Sequence, residues 1–281
     1  MEIVMLLKKN NLKSFLISAT LTCGALVSFN SAAHVHHDAK LEKAIAGEHR
    51  SADNKARDKY RHPLETLSFF GFNSNMTVVE ITPGGGWYTE ILAPALKGTG
   101  KLYGAHYPDT GEDNYYSNSR KKLEKKLASN VVFSEVVLTD FVPRKQSELA
   151  PQGSADLVLT FRNLHNWKDA GVEQVFKDAF NALKPGGVLG VVEHRLPAGG
   201  DAEKSRGYVA EAKTIKQAKA AGFRFAGSSE VNANAKDTAL HPKGVWTLPP
   251  RLALGDKDKE KYLAIGESDR MTLKFVKPKS K

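Results

Sequence analysis

Short apolar runs rich in β-branched residues alternate with longer segments of helical periodicity along most of this 281-residue chain. The short runs have the character of buried strands, whereas the segments between them repeat apolar residues every three to four positions. This alternation predicts an α/β fold in which a parallel sheet carries helices on both faces. The predicted strands are 76–81, 101–107, 131–138, 155–161, 188–192, a run that opens at 222, and 271–276, and the predicted helices are 87–96, 117–127, 172–183 and 202–221.

Two other segments differ from this alternation. Residues 51–70 predict a pair of helices, with Ser51 as a cap, a break at Pro63 and a stop at Gly71. Residues 228–268 have no clean period and hold asparagines, prolines and a charged run, so we predict a cap or loop insertion near the functional site. The folded domain is predicted to span 52–281.

The N-terminus has the layout of a secretory signal peptide. Lys8, Lys9 and Lys13 precede an apolar run over 15–27, and the small residues 31–33 follow it. The run is short for a membrane span and is interrupted by polar residues. We therefore predict a signal peptide over 1–33, export to the periplasm, a flexible segment over 34–51 and no stable membrane span after cleavage. The only cysteine, Cys23, lies inside the signal, so the mature chain is predicted to have no disulfide.

The net charge and the positions of the histidines bear on whether the protein binds nucleic acid or metal ions. The formal charge is +10, and the excess lies in lysine-rich segments typical of surface helices, such as 120–126. For an exported protein this favours a solvated basic surface over nucleic-acid binding. Cleavage after Ala33 would leave an amine at His34 with His36 in third position, a group that can chelate copper or nickel; the alternative is a polar terminus without metal. The other histidines are scattered singly, so no catalytic metal site is predicted.

A glycine-rich stretch over 78–92 is the clearest candidate for a binding site. A β-branched run ends at Glu80 and Ile81, passes through Thr82, Pro83 and three glycines, and enters a helical segment. A strand, a tight turn and a helix start allow the backbone to approach a nucleotide-like ligand closely. In such sheets ligands bind beyond the carboxyl ends of the strands. A nicotinamide-dependent oxidoreductase is an alternative interpretation. Its usual Gly-x-Gly-x-x-Gly pattern could begin at Gly84 and Gly86, but the last glycine of that pattern would fall at Thr89.

Several motifs together resemble a known family. They are Arg61-His62-Pro63-Leu64-Glu65-Thr66, Phe69-Phe70-Gly71, the stretch 80–88, Arg162-Asn163-Leu164-His165-Asn166-Trp167, Leu183-Lys184-Pro185-Gly186-Gly187, Glu193-His194-Arg195 and Asp269-Arg270-Met271. The chain resembles the class I S-adenosylmethionine-dependent methyltransferases, and within them an uncharacterised group of predicted exported bacterial methyltransferases. The resemblance implies a Rossmann-like seven-stranded sheet with the last strand antiparallel, and S-adenosylmethionine as the cofactor.

The resemblance also implies roles for individual residues in binding the cofactor. The first motif, which lies against the methionine end, is matched by Glu80, Thr82, Gly84, Gly85, Gly86 and Tyr88, with Thr82 where a glycine is common. His106 stands where an acid usually takes the ribose hydroxyls, and it cannot chelate both as a carboxylate does. Asp140 matches the acid that contacts the adenine amino group. Asn163 falls where cofactor and substrate meet. Arg61 and His62 are expected to line the pocket.

Methyl transfer from a sulfonium is an in-line displacement, so the protein must position the acceptor and, where needed, remove a proton. His165 is the first candidate for this base, and a helix-capping or packing role is the alternative. Glu193 and His194 are the second choice; Glu193 could instead pair with Arg195 or Arg162. The predicted function is methyl transfer to an unidentified small molecule. Because S-adenosylmethionine is made in the cytoplasm, the alternative is a non-catalytic exported ligand-binding protein on the same fold.

Overall fold

The computed structural model describes residues 38–279. The predicted signal peptide over 1–33, with Cys23, and the chelating group of His34 and His36 lie outside the described residues. In the described range, no helix is both long and apolar enough to cross a membrane.

Seven strands form one sheet in the order β3-β2-β1-β4-β5-β7-β6. Strands β1 to β5 run parallel, and β7 lies antiparallel between β5 and β6. This confirms the predicted α/β fold and its antiparallel last strand. The strands are β1 Thr77–Ile81, β2 Lys101–His106, β3 Val136–Asp140, β4 Ala155–Phe161, β5 Leu183–His194, β6 Arg224–Ser229 and β7 Arg270–Val276.

Helices cover both faces of the sheet because successive side chains of a buried strand point to opposite sides. Val78 packs in one apolar cluster and its neighbour Val79 in the other. The helices are α1 Ala39–Ala46, α2 Ala52–Lys55, α3 Asp58–Arg61, α4 Pro63–Phe70, α5 Thr89–Leu96, α6 Tyr115–Ala128, α7 Leu164–Ala182, α8 Glu211–Ala220 and α9 Lys259–Ile265. The cluster around Val78 contains residues of α1, α4 and α5, and that around Val79 contains residues of α7.

Part of the segment predicted to be flexible, 34–51, is instead an ordered helix. Leu41 and Ala44 of α1 are buried in the apolar cluster that α5 shares. The Asp38 carboxylate caps the helix by accepting from the backbone N–H groups of Lys40 and Leu41, and it also accepts from Ser74 N at 2.7 Å. A short apolar stripe with a side-chain cap is enough to dock this segment on the domain.

Several element bounds differ from the sequence prediction: α7 and β5 begin earlier, at Leu164 and Leu183, and two elements begin at least five residues later. The helix predicted over 202–221 begins only at Glu211, since the preceding residues form turns and the Tyr208 hydroxyl is anchored by donating to Asp237. The strand predicted over 131–138 opens with a 3₁₀ turn, Val131–Phe133, because the Asn130 side chain accepts from Val132 N and caps it. Apolar content alone does not distinguish such turns from strands.

Candidate cofactor and substrate site

The glycine turn between β1 and α5 leaves its backbone open to a ligand. A Cβ added at Gly84 or Gly85 would meet no protein atom within 4 Å, so the described chain leaves this space free. Thr82 has a φ of +51°, a left-handed conformation that explains why related patterns use glycine here. Its buried Oγ1 has no hydrogen-bond partner among the described residues. A strained residue with an unpaired hydroxyl beside open backbone is typical of a binding site.

Glu80, near the end of β1, supports the turn and lines neither of the two cavities described below. Its carboxylate accepts from Thr89 Oγ1 at 2.6 Å, which ties the strand to the first turn of α5. Burial raises the pKa of Glu80 to about 7, although the Thr89 hydroxyl and the nearby Arg162 act in the opposite direction. The group is therefore partly protonated at neutral pH.

This pKa gives a testable pH dependence of stability. Because the folded chain holds the Glu80 proton more tightly than the unfolded chain, the free energy of unfolding should fall as pH rises from about 4.5 to above 7. Glu80→Gln can keep the Thr89 hydrogen bond without ionising. Between pH 5 and 8 the wild type should lose up to about 3 kcal/mol relative to Glu80→Gln, measured by urea unfolding. Glu65→Gln, which removes an exposed carboxylate, should follow the wild type; parallel curves for wild type and Glu80→Gln would contradict the prediction.

His165 and Glu193 meet where β4 and β5 end. His165 Nδ1 lies 3.0 Å from Glu193 Oε1, and both side chains are largely buried. Glu193 also accepts from Leu164 N at 2.6 Å and His194 N at 2.7 Å, so backbone hydrogen bonds fix its carboxylate. With Nδ1 held by the carboxylate, Nε2 is left for the cavity that His165 lines. Glu193 therefore does not pair with Arg162 or Arg195, and Arg195 instead pairs with Glu230 and Asp269.

His194 is a neutral neighbour of this pair. Burial, together with the positive field of His165 and nearby arginines, lowers its pKa well below the ordinary value, and its Nδ1 lies 2.5 Å from Ser268 Oγ. The ligand atoms of His165, Glu193 and His194 lie within 4.8 Å of one another, a spacing that a metal ion could use. However, both Glu193 oxygens already accept hydrogen bonds, and we assign the group no metal role.

Two cavities open along this edge of the sheet. The first, which we call the cationic cavity, has a volume of about 590 Å³ and lies beside the glycine turn. Its most distinctive wall is a group of arginines around one carboxylate, Glu267, which accepts from Arg57 Nε at 2.5 Å and Arg61 Nε at 3.3 Å and also pairs with Arg270. Burial alone would raise the pKa of Glu267, but these guanidiniums hold it well below its usual range.

The second, the aromatic cavity, has a volume of about 470 Å³ and lies beyond the ends of β2 and β3. Tyr107, Tyr116 and Trp167 line it, and Trp167 Nε1 donates to the Tyr107 hydroxyl at 3.1 Å. Asn166 lines both cavities, so they adjoin. Sequence reasoning missed these aromatic residues, although Tyr107 follows directly on β2, where a ligand-facing residue is expected.

The structure brings together only part of the predicted site. Thr82, Gly84, Gly85, Asn163, His165, His194 and Arg61 line the cationic cavity. His106 is fully buried, with Nε2 3.2 Å from Ser119 Oγ, and lines neither cavity. The exposed Asp140 accepts from Arg120 Nη1 at 3.1 Å, and Tyr88 is stacked on Phe161 with ring centroids 3.5 Å apart. Glu80, Gly86, Tyr88, Asp140, Glu193 and His62 are also absent from both linings.

Segment 228–268, predicted as a cap, contributes part of the cationic cavity. Val245, Trp246 and Leu248 line it, and the Trp246 ring lies edge-on to His165 at 5.9 Å between centroids. The segment is held by the buried Asp237 carboxylate, which accepts from the Tyr208 hydroxyl and lies 2.7 Å from His241 Nε2. Apolar side chains thus form the wall of the cavity beside His165.

Comparison with known proteins supports the fold assignment. No protein-family model matches the sequence, and no curated protein matches it significantly. Solved structures do match: a SAM-dependent methyltransferase from Aquifex aeolicus has 15% identity and a TM-score of 0.55 over 85% of this chain and 97% of that one. The [4+2]-cyclase SpnF has 14% identity and a TM-score of 0.56 over 85% and 92% of the two chains. A SAM-dependent methyltransferase from Methanosarcina mazei has 12% identity and a TM-score of 0.51 over 74% and 95%.

At these identities the comparisons speak to architecture and not to activity. The seven-stranded sheet with its antiparallel β7 and surrounding helices matches this architecture. The chain has the fold of the class I S-adenosylmethionine-dependent methyltransferases.

Proposed function

We propose that the protein is an exported methyltransferase that transfers a methyl group from S-adenosylmethionine to a small molecule. The observation that carries the proposal is the His165–Glu193 pair, which lines the same cavity as the open glycine turn through its histidine. A carboxylate-oriented imidazole beside backbone that a ligand can approach is the arrangement that methyl transfer to a protonated nucleophile needs.

S-adenosylmethionine has three parts, a methionine end, an adenine and a ribose, and the described residues fit the first two. The open positions at Gly84 and Gly85 suit the methionine end, where a side chain would take the ligand's space. The aromatic cavity suits a flat adenine, which would stack on Tyr107, Tyr116 or Trp167. The ribose is the exception: among the residues that line the aromatic cavity in the described chain, none carries a carboxylate. When bound, S-adenosylmethionine would supply an electrophilic methyl group on a sulfonium.

The chain's own contribution is to orient the acceptor and to take its proton. His165 would receive the proton at Nε2, while Glu193 holds Nδ1 and stabilises the imidazolium that forms. His194, neutral because its pKa is low, adds no competing positive charge next to that imidazolium. Trp246 and the other cap residues would form the wall of the cavity beside the reacting groups.

Calorimetric titration tests the cofactor part of the proposal. We expect S-adenosylmethionine and S-adenosylhomocysteine to bind the full-length protein with dissociation constants of about 1–100 μM, and NAD not to bind. Absence of binding of both sulfur ligands at millimolar concentration would overturn the proposal.

The base can be tested by His165→Gln. Once an acceptor is found by following S-adenosylhomocysteine release over a panel of small nucleophiles, this variant should lose about 10²–10⁴-fold in kcat, because proton removal contributes that much. Its affinity for S-adenosylhomocysteine should match the wild type, since glutamine removes the base and not the cavity. His49→Gln, at a histidine next to Phe133 outside both cavities, serves as the matched control. Equal turnover of His165→Gln and wild type would show that His165 is not the base.

A non-catalytic exported ligand-binding protein is the second candidate. The observation that favours it is the buried His106 at the ribose position, together with the lack of an acid in the aromatic-cavity lining. It predicts that a ligand other than S-adenosylmethionine occupies the site. Export is part of both candidates, and N-terminal sequencing of the protein from a periplasmic fraction tests it: a mature chain that begins at His34 is expected, and an intact Met1 in the cytoplasmic fraction contradicts it.

A further inference from the structure

Three guanidinium groups pair with a single carboxylate in the cationic cavity, and a fourth lines the cavity with them. Arg57, Arg61 and Arg270 all pair with Glu267, and Arg162 lines the same cavity from the end of β4. The charges of Glu80 and Arg162 also act on each other, but with a pKa of about 7 Glu80 is only partly ionised at neutral pH. Within the described chain, the arginines therefore keep a large excess of positive charge.

Several of these guanidinium groups have donors with nothing to bond to. Nη1 of Arg61, Nη1 of Arg162 and Nε of Arg270 are buried and have no hydrogen-bond partner among the described residues. Arg61 is only 3% exposed, and its guanidinium lies 4.5 Å above the Trp87 ring, which fixes its plane. A buried donor without an acceptor costs about 1–3 kcal/mol and more when it is charged. The folded chain thus lacks acceptors that a ligand could supply.

The arginines also repel one another. Burial and the charge of Arg270 lower the pKa of Arg162 to about 10, and burial together with Arg162 lowers the pKa of Arg61 well below its ordinary value. Arginine side chains remain protonated in proteins, so this repulsion is present in the free protein. Arg162 also has a φ of +60°, a conformation that costs free energy for a non-glycine residue and is found at functional sites.

We propose that this arginine cluster binds a methyl acceptor with at least two negative charges, carried by carboxylate or phosphate groups; this rests on the proposed methyltransferase function. S-adenosylmethionine has one carboxylate, one ammonium and one sulfonium, so it brings a net positive charge and cannot balance the cluster. The balancing charge falls to the acceptor. Guanidinium groups suit it because their planar N–H pairs match carboxylate and phosphate oxygens. His165 lines the same cavity, so the base and the arginines face one ligand space.

Titration of the full-length protein, saturated with S-adenosylhomocysteine and at constant ionic strength, tests this. The probes are pyrophosphate, succinate and, as a single-charge control, acetate. Pyrophosphate or succinate should bind at least about tenfold more tightly than acetate, and the preferred probe distinguishes phosphate from carboxylate chemistry. Arg162→Gln should weaken that binding at least about tenfold while the S-adenosylhomocysteine affinity stays within about threefold. Arg224→Gln removes the same charge from the exposed side of β6 and should bind like the wild type.

Thermal melting adds a readout that does not depend on heats of binding. The better probe should raise the melting temperature of the wild type by several degrees and that of Arg162→Gln much less. Without any probe, Arg162→Gln should melt at or above the wild type, since it removes a repelling charge and an unpaired donor. A variant that melts far below the wild type and keeps full probe binding would contradict the role of Arg162.

The outcomes separate this proposal from the one on which it rests. If S-adenosylhomocysteine binds and neither dianion does at about 10 mM, the acceptor proposal fails and the methyltransferase proposal stands. If the probe and S-adenosylhomocysteine compete, the cluster holds the cofactor's carboxylate and the acceptor proposal fails. Equal weakening in Arg162→Gln and Arg224→Gln would attribute binding to overall charge and overturn it. If S-adenosylhomocysteine does not bind, both proposals fail.

Discussion

Glu267→Gln should lower the free energy of unfolding by about 3–5 kcal/mol in chloride buffer at pH 7, because it removes one partner of a buried ion-pair group. The carboxylate is 2% exposed as a side chain and accepts from three arginines that would otherwise face only one another. Its pKa is held below the ordinary value of 4.5, so its contribution to stability is present above that pH and is lost as pH falls through the lower folded value. Urea unfolding measured at pH 7 and at pH 3 checks both statements.

Glu230→Gln is the matched control. Glu230 forms a two-point pair with Arg195, but its side chain is 66% exposed, so its loss should cost less than about 1 kcal/mol. Pyrophosphate, if it binds the arginine cluster, should recover part of the stability lost in Glu267→Gln and none in Glu230→Gln. Equal stability of Glu267→Gln and wild type would mean that the four arginines do not need a counter-charge, and the case for an anionic ligand would weaken with it.

Gly85→Val should abolish binding of S-adenosylhomocysteine, with a loss of at least about 100-fold, and leave the fold intact. No protein atom lies within 4 Å of a Cβ at this position, and the backbone there is not in the left-handed region. The added side chain therefore meets no part of the protein and takes the space that a ligand on the glycine turn would use. Calorimetric titration and a melting curve measure the two effects.

Gly153→Val provides the control for adding bulk at an open glycine. It lies before β4, at the opposite edge of the sheet, and a Cβ added there would also meet no protein atom within 4 Å. Because its φ is +66°, valine there should cost stability, but affinity for S-adenosylhomocysteine should not change. Binding by Gly85→Val within about threefold of the wild type would place the ligand away from the glycine turn.

The sheet and the glycine turn were predictable because their signals are local. Strand β4 was predicted with its observed bounds, and the strand–turn–helix pattern at 78–92 needs only short-range periodicity and glycine chemistry. The side chains of His106 and Asp140 were harder to place. Their positions at the ends of β2 and β3 follow from the sequence, but burial against Ser119 and pairing with Arg120 depend on how α6 packs.

No short stretch of the sequence indicates the arginine cluster. Arg57 and Arg61 lie beside or on α3, and Arg162 follows β4. Glu267 lies between α9 and β7, and Arg270 begins β7, so only the folded chain brings these residues together. The resemblance placed Arg61 in the pocket, but no pattern in the sequence grouped it with the other arginines, and the favoured interpretation of the basic excess was a solvated surface. A charge excess that is spread over the sequence can still be concentrated at one place in the structure.

The pairing of Arg57 with Glu267 joins positions 210 residues apart. This separation determines when, during folding, the cationic cavity becomes able to bind a ligand. Contacts at such separation form late, since loop closure must precede them. One wall of the cationic cavity comes from the first helices and the other from the start of the final strand. A chain whose β7 has not yet joined the sheet has no complete cavity, so ligand capture must wait until that strand is in place.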